Sequence, residues 1–178
     1  GATWGPDDVL LTAAANRTAL SRVAASGGSL QPVTTLDASK ENSHRWPQLL
    51  PDGRHFLFTV RSDSAETLGI RIGSLDAPDV RPLVNVASPG RFVEPGWLLF
   101  VTPDQVLMAQ HLDPPAWTLQ GTRQQVAGPI RYNGPSFAAS FDASRDGRVL
   151  AYLAGSPALP TLEWFDRTGK SLGRVGPE

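Results

Sequence analysis

Cysteine is absent from this chain of 178 residues. Disulfides, thiol nucleophiles and cysteine-based zinc sites are thereby excluded. No run of about 18 apolar residues occurs, so no segment reads as a membrane-crossing helix. Neither sign of charge prevails: 16 Lys and Arg face 17 Asp and Glu, for a formal net charge of −1. That balance gives no electrostatic reason to expect nucleic acid or an anionic membrane as partner. Histidine is scarce, with only His44, His55 and His111, and none stands at a His-x-x-x-His spacing, so no metal site is expected. A Gly-x-Ser-x-Gly nucleophile elbow is missing; Ala25-Ser26-Gly27-Gly28-Ser29 comes closest and reads as a hairpin turn. A glycine-rich phosphate loop, a His-Arg-Asp loop and an Asp-Phe-Gly triplet are missing too, so these residues hold no kinase domain. The opening Gly1-Ala2-Thr3-Trp4 does not read as a secretory leader. No long segment carries a helical period.

What the chain does contain is punctuation. It has 17 glycines and 16 prolines spread along its length, with 40% hydrophobic and 19% charged residues. That composition fits a folded protein of many short strands and turns. The punctuation repeats. A proline-aspartate turn precedes an apolar strand as Gly5-Pro6-Asp7-Asp8 before Val9-Leu10-Leu11-Thr12, and as Leu50-Pro51-Asp52-Gly53 before His55-Phe56-Leu57-Phe58. A worn copy is Glu94-Pro95-Gly96 before Trp97-Leu98-Leu99-Phe100, and the last is Ser144-Arg145-Asp146-Gly147 before Val149-Leu150-Ala151-Tyr152. The steps are 45, 44 and about 50 residues, the period of a propeller blade.

The residue types follow from the turn. Asp-Gly accepts the positive φ that joins antiparallel strands tightly, and a proline ahead of it ends the previous strand. Asp7, Asp52 and Asp146 are therefore expected as turn formers. Beyond the turn, Leu10, Phe56, Leu98 and Leu150 form one column, and Thr12, Phe58, Phe100 and Tyr152 a second column two residues on. A spacing of two puts both on one strand face. The residues between them, Leu11, Leu57, Leu99 and Ala151, are apolar as well, as in a strand buried on both sides. Third strands are expected at residues 19–24, 69–75, 106–112 and 161–165, and polar fourth strands at 31–36, 80–84, 124–126 and 171–175. The whole predicts an all-β chain: a β-propeller segment of four blades with four antiparallel strands each, at about 1–40, 41–87, 88–130 and 131–178.

At these repeats the chain resembles the TolB-like, WD-repeat-like propeller family. The residues that carry the resemblance are Trp4-Gly5-Pro6-Asp7, Leu50-Pro51-Asp52-Gly53-Arg54, Ala25-Ser26-Gly27-Gly28 and Pro32-Val33-Thr34-Thr35-Leu36. The run from His44 to Leu57, and Leu162-Glu163-Trp164-Phe165-Asp166-Arg167-Thr168-Gly169-Lys170, look like propellers fused behind bacterial serine/threonine protein kinase domains. The resemblance implies a sensor propeller that follows a membrane span, and so an extracytoplasmic location. It also makes the Asn16-Arg17-Thr18 glycosylation pattern incidental.

Of the five tryptophans, Trp4 shares the first-strand column with Leu49 and Val93 and is expected in the core, while Trp97 and Trp164 lie in strands. Trp46 and Trp117 are candidates for exposure. His55 reads as a packed or strand-edge residue. His44, Arg45 and Trp46 form the one cluster that suggests binding, in a loop before a first strand, where propeller loops edge the central channel. No cofactor and no catalytic residue is expected. Two functions remain open: a non-catalytic binding or sensor module for a protein, peptide or small molecule, part of a larger receptor-like kinase, or a propeller gating a separate α/β-hydrolase domain. Four blades make either a tight closed ring or, as the resemblance implies, about half of a larger one, for which the expected partners are the missing blades of a longer chain or a second copy completing an eight-blade homodimer.

Overall fold

The computed structural model describes residues 1–5, 7–155, 163–165 and 170–174. Three antiparallel four-stranded sheets follow one another along the chain. The first holds β1 (Ala2–Trp4), β2 (Val9–Thr12), β3 (Ser21–Ala24) and β4 (Gln31–Pro32). The second holds β5 (Ser43–Leu49), β6 (His55–Arg61), β7 (Gly69–Ser74) and β8 (Val80–Val84). The third holds β9 (Arg91–Val93), β10 (Trp97–Val101), β11 (Leu107–Asp113) and β12 (Thr118–Ala127). Within each sheet the strands lie in chain order. Beyond them come three two-stranded pairs: β13 (Tyr132–Asn133) with β14 (Ala138–Ala139), β15 (Phe141–Ala143) with β16 (Leu150–Tyr152), and β17 (Glu163–Phe165) with β18 (Ser171–Arg174). The fourth unit thus takes the form of separate pairs among the described residues. Its expected stretches at residues 161–162, 166–169 and 175 lie outside them, as does Pro6.

The turns behave as their residues dictate. Gly53 and Gly147 adopt φ of 68° and 71°, and Asp8 takes the same left-handed position at 53°. The Asp52 carboxylate accepts hydrogen bonds from the backbone N–H of Arg54 (3.0 Å) and His55 (2.9 Å). Asp146 accepts from the Arg148 N–H and the Ser144 hydroxyl. Local capping of this kind is why aspartate stands there.

Strand alternation then sets the order of the sheets. On β2, Leu11 packs with Leu20, Phe56, Phe58 and Val60, a core between the first and second sheets. On β6, Leu57 points the other way, into a core with Ile70, Ile72, Phe92, Leu98 and Phe100, between the second and third. Leu99 joins Val93, Val101 and Leu107 in a third core, against which Phe141, Ala143 and Leu150 pack. The column Leu10, Phe56, Leu98, Leu150 therefore faces the preceding sheet, and Leu11, Leu57, Leu99, Ala151 the following one. The middle sheets are covered on both sides. The terminal ones expose a face each among the described residues.

This geometry corrects several expectations. Trp4 pairs with Leu10, which faces the uncovered side, and is 64% exposed; it is not a core residue. Its counterpart in the third sheet is Phe92, which pairs with Leu98, and not Val93, which pairs with Trp97. The strand expected at residues 31–36 is only Gln31–Pro32. That expected at 124–126 extends over Thr118–Ala127, with two register shifts against β11. Trp117 is buried.

Candidate functional site

The first strand of each unit lies innermost, and neighbouring inner strands are bonded to one another. The Leu49 N–H donates to Thr3 Oγ1 at 3.3 Å, linking β5 to β1. The Gln48 amide grips Phe92 from both sides, donating to its carbonyl at 3.1 Å and accepting from its N–H at 2.6 Å, linking β5 to β9. Arg91 of β9 forms an ion pair with Asp142 of β15 at 2.9 Å. These links place β1, β5, β9 and β15 in succession around a common axis. Between them lies a cavity of about 300 Å3 bordered by Ala2, Trp46, Pro47, Gly90, Arg91 and Phe141.

At one end of this cavity β5 departs from regular pairing. Its register with β6 shifts between Arg45 and Gln48, and Trp46 adopts a left-handed φ of 53°. Bulges re-aim side chains, and a left-handed tryptophan is held only where its surroundings fix it. Here they do. The Trp46 indole N–H donates to the Ser136 carbonyl at 3.3 Å, and Arg45 Nη1 approaches the same oxygen at 3.4 Å. Ser136 ends the short 3-10 turn Gly134–Ser136 in the β13–β14 hairpin, which is tied back to the second unit by the Tyr132 hydroxyl donating to Ala87 O at 2.7 Å. Phe137, next in the chain, lies under Arg61, with the guanidinium carbon 5.8 Å from the ring centre. A second cavity of about 380 Å3, bordered by Ala13, Ala15, Asn16, Arg45, Trp46 and Ser136, adjoins the first.

The expected cluster therefore divides. Arg45 and Trp46 do border the axial cavities, but inside the first strand of their unit and not in a loop before it; the strand begins earlier than expected, at Ser43, and bulges to place them. His44 points to the opposite face. It is buried against Phe58, with ring centres 4.9 Å apart. Its Nε2 meets Glu41 Oε2 at 3.0 Å and its Nδ1 meets Thr34 Oγ1 at 2.7 Å. The ionised Glu41 only accepts, so Nε2 carries the proton; Nδ1 then accepts the Thr34 hydroxyl, whose oxygen takes the Leu20 N–H at 2.9 Å. His44 is a joint between the first and second units. Burial lowers its pKa, and the Arg71 charge adds to that against the opposing pull of Glu41.

A second joint lies at the far turn. Asp52 Oδ2 meets His55 Nδ1 at 2.6 Å and accepts the Trp117 indole N–H at 3.1 Å, linking the second and third units. Burial alone raises the Asp52 pKa, but the N–H groups of His55 and Arg54 and the His55 ring outweigh it and hold the carboxyl below its usual value.

Sequence reasoning missed Arg61, Ser136 and Phe137. Burial, and then the nearby Arg61 charge, lower the pKa of Arg45. No carboxylate forms an ion pair with Arg45 or Arg61 among the described residues. The only hint in the sequence is an excess of arginine on strands whose partners supply no acid.

Radial antiparallel sheets around a shared axis define a β-propeller-type protein. Among solved structures, the chain is similar to regucalcin, a calcium-binding protein from Agrobacterium tumefaciens, with a TM-score of 0.57 and 16% identity. The similarity covers 97% of this chain and 58% of that one, so this chain spans little more than half the length of its structural neighbour. At that identity the likeness establishes the fold. No family model matches the chain, and no curated protein does. Calcium takes six to eight oxygen ligands, chiefly carboxylates. No group of three or more His, Cys, Asp or Glu side chains converges among the described residues, and the axial end carries guanidinium and indole groups. The residues present do not fit a calcium site.

Proposed function

We propose that this chain is a non-catalytic binding module which presents the axial end around Arg45 and Trp46 to a protein or peptide ligand. The observation that carries this reading is the bulge in β5. It holds Trp46 in a strained conformation at the border of two adjoining cavities, the second of which Arg45 also lines. Strain kept at a cavity mouth marks a constrained, functional position. Guanidinium, indole and backbone carbonyls recognise ligands by hydrogen bonding and stacking. In context, the module is the extracytoplasmic sensor of a larger kinase-linked receptor of TolB-like type, a reading supported by the repeat residues from His44 to Leu57.

The ring in this proposal has four blades from this chain and is completed by others. Two apolar faces support that: Trp4, Leu10 and Val23 on the first sheet, and Val149, Ala151 and Leu153 on β15–β16 and its flanks, with Val149 61% and Leu153 57% exposed. Such faces associate. The partner is further blades of a longer chain or a second copy of this one. Light scattering coupled to size exclusion separates them: a mass of two chains identifies the second copy, and a stable single-chain mass refutes it.

Selection of peptides from a displayed library tests the binding reading. Ligands recovered on the wild-type chain lose affinity in Trp46→Gly, which keeps the backbone conformation and removes the indole. A selection that yields no ligand, or only ligands indifferent to Trp46→Gly, overturns it. Esterase, peptidase and ATPase assays on the purified chain stay at background.

A further inference from the structure

Arg61 is the least satisfied cation of the described residues. It closes β6 opposite Ser43. Its Nε–H is shut away from solvent and meets no acceptor. Its guanidinium makes no hydrogen bond and lies over the Phe137 ring, 5.8 Å from its centre. An N–H buried without a partner is costly, and more so on a charged group. Arg45 stands on the same face of the sheet, because it pairs with Thr59 two residues before Arg61. Its Nε donates to Ser43 Oγ at 2.8 Å, and the longer contact to Ser136 O leaves further Nη donors free. The two cations are close enough for Arg61 to disfavour the charge on Arg45. Arg71 shares the orphaned Nε–H, but it sits on the His44 face and its Nη2 is held by Thr67 O at 2.6 Å.

Two like charges brought together without a counter-charge form an anion site, and paired guanidiniums suit a planar oxyanion best. We infer that Arg45 and Arg61 together bind a carboxylate carried on an acidic polypeptide segment, flanked by Trp46 and Phe137. This rests on the axial end being the binding site, as proposed above. Polypeptide is favoured over a free ion because the cavity of about 380 Å3 that Arg45 borders adjoins, past Trp46, the axial cavity of about 300 Å3. A single ion occupies neither; an extended chain runs through both. The carboxylate accepts from the solvent-facing Nη groups of the two arginines and relieves the repulsion between the two cations.

The test uses the whole chain, labelled with nitrogen-15, and follows the arginine Nε–H resonances during titration. The probes are a capped hexaglutamate peptide, a capped hexaglutamine peptide and inorganic phosphate. The hexaglutamate is expected to shift the Arg61 signal saturably, with affinity that falls as salt rises. Affinity drops about tenfold or more in Arg45→Gln/Arg61→Gln, the scale of one charge-assisted hydrogen bond, and is unchanged in the exposed control Arg22→Gln. Should the double variant fail to fold, Arg45→Gln alone decides, with Arg45→Lys expected to restore part of the binding. No saturable shift with hexaglutamate, or equal binding by the glutamine variants, overturns the inference. Phosphate binding without peptide binding overturns the polypeptide assignment. Hexaglutamine binding as tightly as hexaglutamate, and lost in Trp46→Gly, overturns the charge inference while the binding reading stands.

Discussion

Asp52→Ala costs far more than a turn residue ordinarily would. The Trp117 indole is 3% exposed and donates its N–H to Asp52 Oδ2 at 3.1 Å. Leaving that donor buried and unpaired costs about 1–3 kcal/mol. The two turn amides of Arg54 and His55 lie at the surface, where water replaces most of what is lost, so they add about 1 kcal/mol. The His55 pair is about one-third exposed on each side, and solvent screening holds it to about 0–1 kcal/mol. The total is about 2–5 kcal/mol, against about 1 kcal/mol for a purely local turn. Urea denaturation of wild type, Asp52→Ala, Trp117→Phe and the double variant measures it as a cycle. Phenylalanine keeps the edge contact to Phe92 and removes only the donor. A coupling of about 1–3 kcal/mol is expected. A coupling near zero, or a loss below about 1 kcal/mol in Asp52→Ala, refutes the bridge between units. Because the folded Asp52 pKa is lowered, its contribution is complete above the ordinary carboxylate range, near 4, and is lost as pH falls through the folded value.

Phe56→Ala is expected to cost about 3–5 kcal/mol by urea denaturation, since Phe56 is 1% exposed and fills the core between the first two sheets. Gly73→Ala is destabilising in the same assay, because an added Cβ would stand 2.6 Å from the Phe56 ring, and Phe56→Leu in that background recovers part of the loss. Gln48→Ala removes both hydrogen bonds to Phe92 and is expected to cost about 1–3 kcal/mol, with faster amide exchange at Phe92. The buried His44 has a lowered pKa, so its contribution is complete above about 6.5 and falls as pH drops through the folded value; in His44→Gln that part of the pH dependence of the melting temperature disappears.

Much of this fold is legible because a repeat states each rule several times. The columns Phe56–Phe58 and Leu98–Phe100 are core in the middle sheets, as their composition demands. The same columns mislead at the ends. Leu10 is half-buried and Trp4 exposed, because burial depends on a neighbouring sheet, and a column cannot say whether that neighbour is present. Trp117 was illegible for another reason. It stands in a turn with φ of 52°, outside any strand period, and is buried by a contact with Asp52 sixty-five residues away. The site divides along the same line. Arg45 and Trp46 stood out as an unusual pair, whereas Arg61 and Ser136 join them only through pairing and a hairpin that local patterns do not encode.

The outer strands carry a consequence for how such chains meet. A free strand edge is a comb of unpaired N–H and C=O groups on which another strand can template itself. β4 ends on Pro32 and β8 contains Pro82, and each proline removes a tooth from the comb. β12 has no proline, but two register shifts and a left-handed Gly121 bend it, and Arg123 stands exposed along it. Fibre-like growth is thus obstructed at the rim of all three sheets, by proline on two and by an irregular, charged strand on the third. The association proposed above is thereby left to the broad faces around Trp4 and Val149, where contact would end with a finite assembly and not an open-ended sheet.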